Sequence, residues 1–176
     1  IENNGISHFI EHMVFKGSHK RRAFEIAKSL EAVGGGLNAF TSKELTCYYA
    51  HILPKHLRLA IDIISDMISN PLFRESDITK EKDVIVEEIY NMEDTPEEAI
   101  YEHFQKNLFY QHPLGRPILG TPASIRQFSQ SEITKYWKEN YVSNKLVISA
   151  VGDVEHSKVV SLVEKYFNFT SGTKKL

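Results

Sequence analysis

Apolar positions recur along this chain with two different periods, which divides it into predicted elements. Residues 6–15 are apolar nearly all round, which predicts a buried first helix running to about Phe15. Apolar positions at 23, 26, 27, 30 and 33 have a helical period, and Gly34 is expected to end this second helix.

The next two apolar stretches have the composition of strands. Residues 37–42 and 45–53 are rich in β-branched and aromatic side chains. Only Lys43 and Glu44 separate them, so we predict an antiparallel hairpin. The glycine run 34–36 follows a helix and precedes a strand, which is the reverse of a phosphate-binding loop and argues against a nucleotide site.

The remainder of the chain is predicted to be mostly helical, with one returning strand. The predicted helices are Pro54 to Asn70, Glu75 to Asp94, Pro96 to Leu108, Ser131 to Tyr141 and Glu155 to Phe167, and the third strand is Lys145 to Val151. We therefore expect residues 1–176 to form a single α+β domain. It would consist of a mainly antiparallel sheet with helices packed on one face.

Composition excludes several classes of protein. A length of 176 residues suffices for one domain with a core, and 41% hydrophobic with 25% charged residues is typical of globular proteins. The net charge of 21 − 23 = −2 gives no basic field for nucleic acid. No apolar run approaches a membrane span, so no membrane partner is expected. Cys47 is the one cysteine, which excludes an intrachain disulfide.

The segment His8-Phe9-Ile10-Glu11-His12 carries the most specific chemistry. On a helix, His8 and His12 lie one turn apart and point toward one place, with Glu11 beside them. Such pairs also arise by chance on surface helices, but this helix is predicted to be buried, where unpartnered polar groups are costly. Two imidazoles and a carboxylate therefore predict a metal site, zinc with a general base beside it.

A third ligand is predicted on the helix that starts at Glu75. At 100° per residue, Glu88 and Glu81 lie in line beside the apolar stripe, whereas Glu87 points outward. We assign Glu88 as the ligand and Glu81 as a hydrogen-bond acceptor behind a ligating histidine. The alternative for Glu88 is a carboxylate at the edge of an amphipathic helix. Among the other histidines, His51 is an outside candidate for a ligand.

The motif His8-x-x-Glu11-His12, followed by Glu88 at 88 − 12 = 76 positions after His12, resembles the inverted zinc-binding motif of the pitrilysin-type (inverzincin) metallopeptidases. That family includes insulin-degrading enzyme, the mitochondrial processing peptidases and many bacterial zinc proteases. The likeness covers nearly the whole chain. Residues 84–89 resemble the family's third-ligand helix, and Asn38-Ala39-Phe40-Thr41 resembles its substrate-pairing edge strand.

The resemblance implies a role for each matching residue. It implies that His8, His12 and Glu88 bind Zn²⁺, that Glu11 is the general base, that Glu81 lies behind the site, that Asn38 and Ala39 hold the substrate backbone, and that Phe15 and Phe40 line side-chain pockets. The implied activity is zinc-dependent endopeptidase cleavage of peptides or unfolded protein segments.

The resemblance also implies a second homologous half that closes a chamber over the substrate, and this sequence contains no such region. We expect the chain to be the catalytic half, truncated at its N-terminus and better suited to bind zinc than to cut efficiently alone. A homodimer is a further possibility. A bacterial cytoplasm is the expected compartment, with the mitochondrial matrix as the alternative. The rival functions are a non-catalytic peptide-binding or structural subunit of the same fold, and a purely structural zinc site.

Overall fold

The computed structural model describes residues 3–169, and helices dominate that range. No helix in this range is long and apolar enough to cross a membrane. The elements are α1 Ile6–Val14, α2 Ala23–Glu31, β1 Gly36–Thr41, β2 Thr46–His51, α3 Leu57–Ser69, α4 Glu75–Asp94, α5 Pro96–Leu108, α6 Pro122–Gln127, α7 Gln130–Asn140 and α8 His156–Tyr166. Single 3₁₀ turns cover Pro54–His56, Pro113–Gly115 and Ser143–Lys145.

The sheet is smaller than the sequence predicts. Between residues 3 and 169 it consists of the β1–β2 hairpin, so the expectation of a mainly antiparallel sheet is wrong and the α+β fold is mostly helical. The predicted strand Lys145–Val151 begins in a 3₁₀ turn and continues as irregular chain. Val147 and Val151 are more than nine-tenths exposed. A β-favouring sequence makes a strand only where a neighbouring strand supplies the ladder, and the described chain brings none to it.

Two helix starts also differ from the sequence prediction. The start of α7 is capped by Ser129 rather than Ser131: the Glu132 amide donates to Ser129 Oγ at 3.3 Å, and the Ser129 amide donates to Glu132 Oε2 at 2.8 Å. The short helix α6 was not predicted. It begins with a reciprocal cap in which the Ser124 amide donates to Thr121 Oγ1 and the Thr121 amide donates to Ser124 Oγ.

The described chain divides into two compact units. The first unit comprises residues 3–13, 40–47 and 73–133, and the second comprises 14–39, 48–72 and 134–169. In the first unit, Phe9 of α1 packs edge-on against Phe128, with ring centroids 5.7 Å apart. Buried side chains of α1, α4 and α6 complete its core: Ile6, Ile10, Met13, Ile78, Ile85, Val86, Ile89 and Ile125.

Two glycines hold the start of α1 close to a distant loop of the same unit. Gly5 and Gly120 both have positive φ, +89° and +80°. A Cβ on Gly5 would lie 2.7 Å from the Leu119 carbonyl oxygen, and one on Gly120 would lie 2.8 Å from the Asn4 carbonyl oxygen. Neither position has room for a side chain, so the backbone contact fixes where α1 begins.

The second unit contains a partly buried ion-pair network. Arg21 donates to Asp62 at 2.6 Å and to Asp66 at 2.8 Å, and Ser18 donates to Asp66 at 2.6 Å. Asp66 is almost fully buried, so these charge-assisted bonds satisfy a carboxylate that would otherwise be costly. The network ties the connector after α1 to α3. Trp137 of α7 donates its indole N–H to the Ile68 carbonyl at 2.9 Å and joins α7 to the same helix.

Candidate metal centre

Helix α1 places His8, Glu11 and His12 together in the first unit. The His8 and His12 rings lie one turn apart, with centroids 4.5 Å apart and planes inclined by 59°. The apolar residues of α1 are buried in the core, and His8 and Glu11 are buried with them. The sequence puts polar groups into an otherwise apolar helix, and folding brings them to one place.

Helix α4 brings Glu88 to the two histidines. Glu88 Oε1 lies 3.7 Å from His8 Nε2, and Glu88 Oε2 lies 3.5 Å from His12 Nε2. Within residues 3–169, these three residues form the one set of His, Cys, Asp or Glu side chains whose ligand atoms all lie within 4.8 Å of one another. Two atoms each about 2.1 Å from a tetrahedral centre are about 3.4 Å apart, so the donor set fits a single zinc-sized cation.

Glu81 lies behind His12. The His12 Nδ1–H donates to Glu81 Oε1 at 2.9 Å, and Glu81 is buried. This bond places the His12 proton on Nδ1 and leaves Nε2, which faces Glu88, with its lone pair available. Glu87, the neighbour of Glu88, is exposed, as its outward position on the helix predicts.

His8 is neutral over the physiological range. Burial lowers the pKa of His8 to about 4, the nearby His12 adds to that effect, and Glu81 opposes it. A neutral imidazole is the form that binds a metal. His8 Nδ1 is buried and has no hydrogen-bond partner in the described chain.

Glu11 has a different environment from the three clustered side chains. Burial raises the pKa of the Glu11 carboxyl above its ordinary value and Glu88 adds to the shift, whereas a hydrogen bond from Thr41 and the neighbouring His12 lower it. The Thr41 hydroxyl donates to Glu11 Oε2 at 2.5 Å. A carboxylate with a raised pKa is a stronger base than an ordinary glutamate, which suits proton abstraction.

Three of the remaining predicted residues, Asn38, Ala39 and Phe40, lie on β1, and Phe15 directly follows α1. Phe40 belongs to the first unit and is half exposed, whereas Asn38, Ala39 and Phe15 belong to the second. The Ala39 amide donates to Asn38 Oδ1 at 2.9 Å. Their roles in substrate binding stay predictions.

His51, the outside candidate, is exposed at the end of β2 and is not part of the cluster. The sequence reasoning missed the contact between Thr41 and Glu11. The one feature of the sequence that could have indicated this contact is the pair of threonines, Thr41 and Thr46, on either side of the hairpin turn.

Comparison with known proteins matches most of the chain to one family. The profile described as insulinase, peptidase family M16, matches residues 1–122, and the profile described as the peptidase M16 inactive domain matches residues 127–174.

Individual relatives agree with that match. The chain is 43% identical over 166 residues to an uncharacterized zinc protease of Bacillus subtilis, covering 94% of the chain and 40% of the relative. It is 38% identical over 166 residues to a probable mitochondrial-processing peptidase subunit beta of Arabidopsis thaliana, covering 94% and 31%. The crystal structure of a protease from Helicobacter pylori superposes with a TM-score of 0.93 at 25% identity, covering 100% of this chain and 43% of that one. The chain thus spans between 31% and 43% of the length of these proteins.

Proposed function

This chain belongs to the insulinase family of peptidases, family M16, and on that premise we propose that it is the zinc-binding half of an endopeptidase. Its substrates are peptides or unfolded protein segments. Family membership confirms the resemblance predicted from the motif. The observation that carries the proposal is the convergence of His8, His12 and Glu88, with the buried carboxylate of Glu11 beside them.

Zinc is the cofactor that this site takes. His8 and His12 supply Nε2 atoms and Glu88 supplies a carboxylate oxygen, which is a donor set of the kind found in catalytic zinc sites. When bound there, zinc supplies Lewis acidity that polarises a carbonyl oxygen and makes water nucleophilic near neutral pH. Glu81 orients His12 through the Nδ1–H bond and so keeps Nε2 directed at the site.

Glu11 performs the proton transfers. Its Oε2 accepts a hydrogen bond from Thr41, and we assign Oε1 as the oxygen that accepts a proton from the attacking water. The protonated carboxyl then delivers that proton to the nitrogen of the departing amine, and the carboxylate is regenerated. Burial of Glu11 excludes bulk water and keeps its proton affinity above that of an exposed glutamate.

The substrate lies along β1 in this proposal. Asn38 and Ala39 hold its backbone, and Phe40 and Phe15 contact its side chains. An extended peptide pairing with a strand edge gains main-chain hydrogen bonds with little dependence on sequence. A second homologous half or subunit closes the chamber, and a homodimer is one way to provide it. We place the protein in a bacterial cytoplasm, with the mitochondrial matrix as the alternative.

The test is Glu11→Gln in the full-length zinc-loaded protein, assayed with a quenched fluorescent peptide. We expect zinc content to stay unchanged and kcat to fall by about 100- to 10,000-fold, because the general base is lost. Glu87→Gln is the matched control, since Glu87 is exposed on the same helix as Glu88. Full activity in Glu11→Gln contradicts the mechanism. Zinc bound with no cleavage by the wild type supports the non-catalytic alternative.

A further inference from the structure

Two threonine hydroxyls stand in series behind Glu11. Thr41 Oγ1 lies 2.5 Å from Glu11 Oε2 and 3.1 Å from Thr46 Oγ1. The two threonines flank the turn of the hairpin, whose Ser42 amide donates to the Leu45 carbonyl at 2.8 Å. All three members of this series belong to the first unit.

The number of hydroxyl protons determines which group donates in each of these two hydrogen bonds. A threonine hydroxyl has one proton to donate, and an ionised carboxylate can only accept. Thr41 must therefore donate to Glu11, so the bond between the two hydroxyls is donated by Thr46. A hydroxyl that itself accepts a hydrogen bond is polarised and becomes a stronger donor. The series engages Oε2 of Glu11 and does not involve Oε1.

The turn between these two threonines is stabilised by contacts of the Lys43 side chain. Lys43 donates to the Arg116 carbonyl at 2.7 Å and lies 3.4 Å from the Glu102 carboxylate of α5. The Lys43 side chain is largely buried by these contacts. Because these contacts hold the turn in place, the position of the Thr41 hydroxyl is fixed. The hydrogen bond from that hydroxyl then limits the positions that the Glu11 carboxylate can adopt.

We propose that Thr41 is a positioning residue for the general base: its hydroxyl, supported by Thr46, holds the Glu11 carboxylate with Oε1 directed at the reacting water. This inference rests on the proposed function, since it assigns a partner to Glu11 in that reaction. Thr41 also lies next to Phe40 on the strand proposed to bind substrate. In this proposal, strand β1 therefore positions both the substrate and the general base.

The test compares variants of the full-length zinc-loaded enzyme. Thr41→Val keeps the β-branched shape and removes the hydroxyl; we expect kcat to fall about 10- to 100-fold, the value of a hydrogen bond to a charged group, with KM within about twofold. Thr41→Ser restores the donor and should return kcat to within about threefold of wild type. Thr46→Val removes only the supporting donor, so its loss should be smaller. Thr79→Val, which removes an exposed hydroxyl on α4, is the control and should be unchanged.

Two further measurements do not depend on turnover. Zinc content should be the same in Thr41→Val and wild type. Peptide affinity is measured in the Glu11→Gln background, where the peptide stays uncleaved. Adding Thr41→Val to Glu11→Gln should change that affinity by no more than about twofold. A crystal structure of zinc-loaded Thr41→Val should show the Glu11 carboxylate displaced or in several orientations.

The outcomes separate this inference from the proposed function. A wild-type enzyme that cleaves peptide, together with a Thr41→Val variant of equal kcat or an undisplaced Glu11, overturns the positioning role alone. Loss of zinc or weaker peptide binding in Thr41→Val overturns it also, because the hydroxyl would then support the metal site or the substrate strand. A wild-type protein that binds zinc and cleaves no peptide overturns both proposals.

Discussion

Glu87 and Glu88 are adjacent on α4, yet only Glu88 approaches the histidines. The pair provides a controlled test at the scale of single residues. Glu88→Gln removes the charge of the proposed zinc ligand, and we expect zinc affinity to fall more than about 100-fold, beyond the loss typical of an outer-shell change. Glu87→Gln should bind one zinc per chain as the wild type does. Metal analysis after dialysis against a graded chelator measures both, and equal retention by the two variants would contradict the assignment of Glu88.

The buried His8 makes the stability of the metal-free protein depend on pH. The pKa of His8 is lowered to about 4 in the folded chain, whereas the ordinary value is 6.5. The unfolded state therefore takes up a proton first, and stability is lost as pH falls from 6.5 toward 4, by up to about 3 kcal/mol. Glu11 acts in the opposite sense because its pKa is raised.

The contribution of His8 is isolated by comparison with a variant. Urea unfolding of metal-free wild type and His8→Gln between pH 7 and pH 4 should give a free-energy difference that changes in this window, since glutamine does not titrate. A difference that is constant with pH would show that His8 has its ordinary pKa.

At the scale of elements, the position of α1 depends on the contact between Gly5 and Gly120. Gly120→Ala introduces a Cβ 2.8 Å from the Asn4 carbonyl oxygen at a φ of +80°, so the loop or the helix start must move. We expect a loss of about 1–3 kcal/mol in unfolding free energy and weaker zinc binding, because His8 and His12 follow the helix. Gly36→Ala is the control, since a Cβ there meets nothing within 4 Å. Wild-type zinc affinity in Gly120→Ala would refute the coupling.

Helices were predictable where apolar periodicity and side-chain chemistry agreed. The sequence places α4 and α5 at their observed bounds, because a proline separates them and a continuous apolar stripe defines α4. Helical spacing alone also brings His8 and His12 together and distinguishes Glu88 from Glu87. These features depend on local geometry, which a sequence carries directly.

Features that depend on distant contacts were not predictable. Val147 and Val151 have strand-forming side chains but no pairing partner among residues 3–169, and composition cannot reveal that. The bond between Thr41 and Glu11 joins residues thirty positions apart, and no local pattern requires it. The capping of α7 by Ser129 depends on which of two serines reaches Glu132, which is a matter of backbone geometry.

At the scale of the whole molecule, the residues of the candidate metal centre all lie in the first unit: His8, Glu11, His12, Glu81 and Glu88. Zinc should therefore stabilise α1 and α4 directly. We expect amide hydrogen exchange in these helices to slow on zinc binding, and exchange in α2 and α3 of the second unit to change less. Mass spectrometry of exchanged peptides measures both regions in one experiment. Protection confined to α2 and α3 would contradict the proposed ligand set.

The contacts of α1 have a consequence for how the protein is made. Both histidines are synthesised before the residues that support their helix, because α1 packs on Phe128 and starts against Gly120. On the ribosome, the nascent chain carries these two proposed metal ligands more than a hundred residues before Gly120 and Phe128 are added. We therefore expect the two histidines to reach their mutual geometry only after residue 128 has been synthesised, so that metal loading follows the synthesis of this part of the chain.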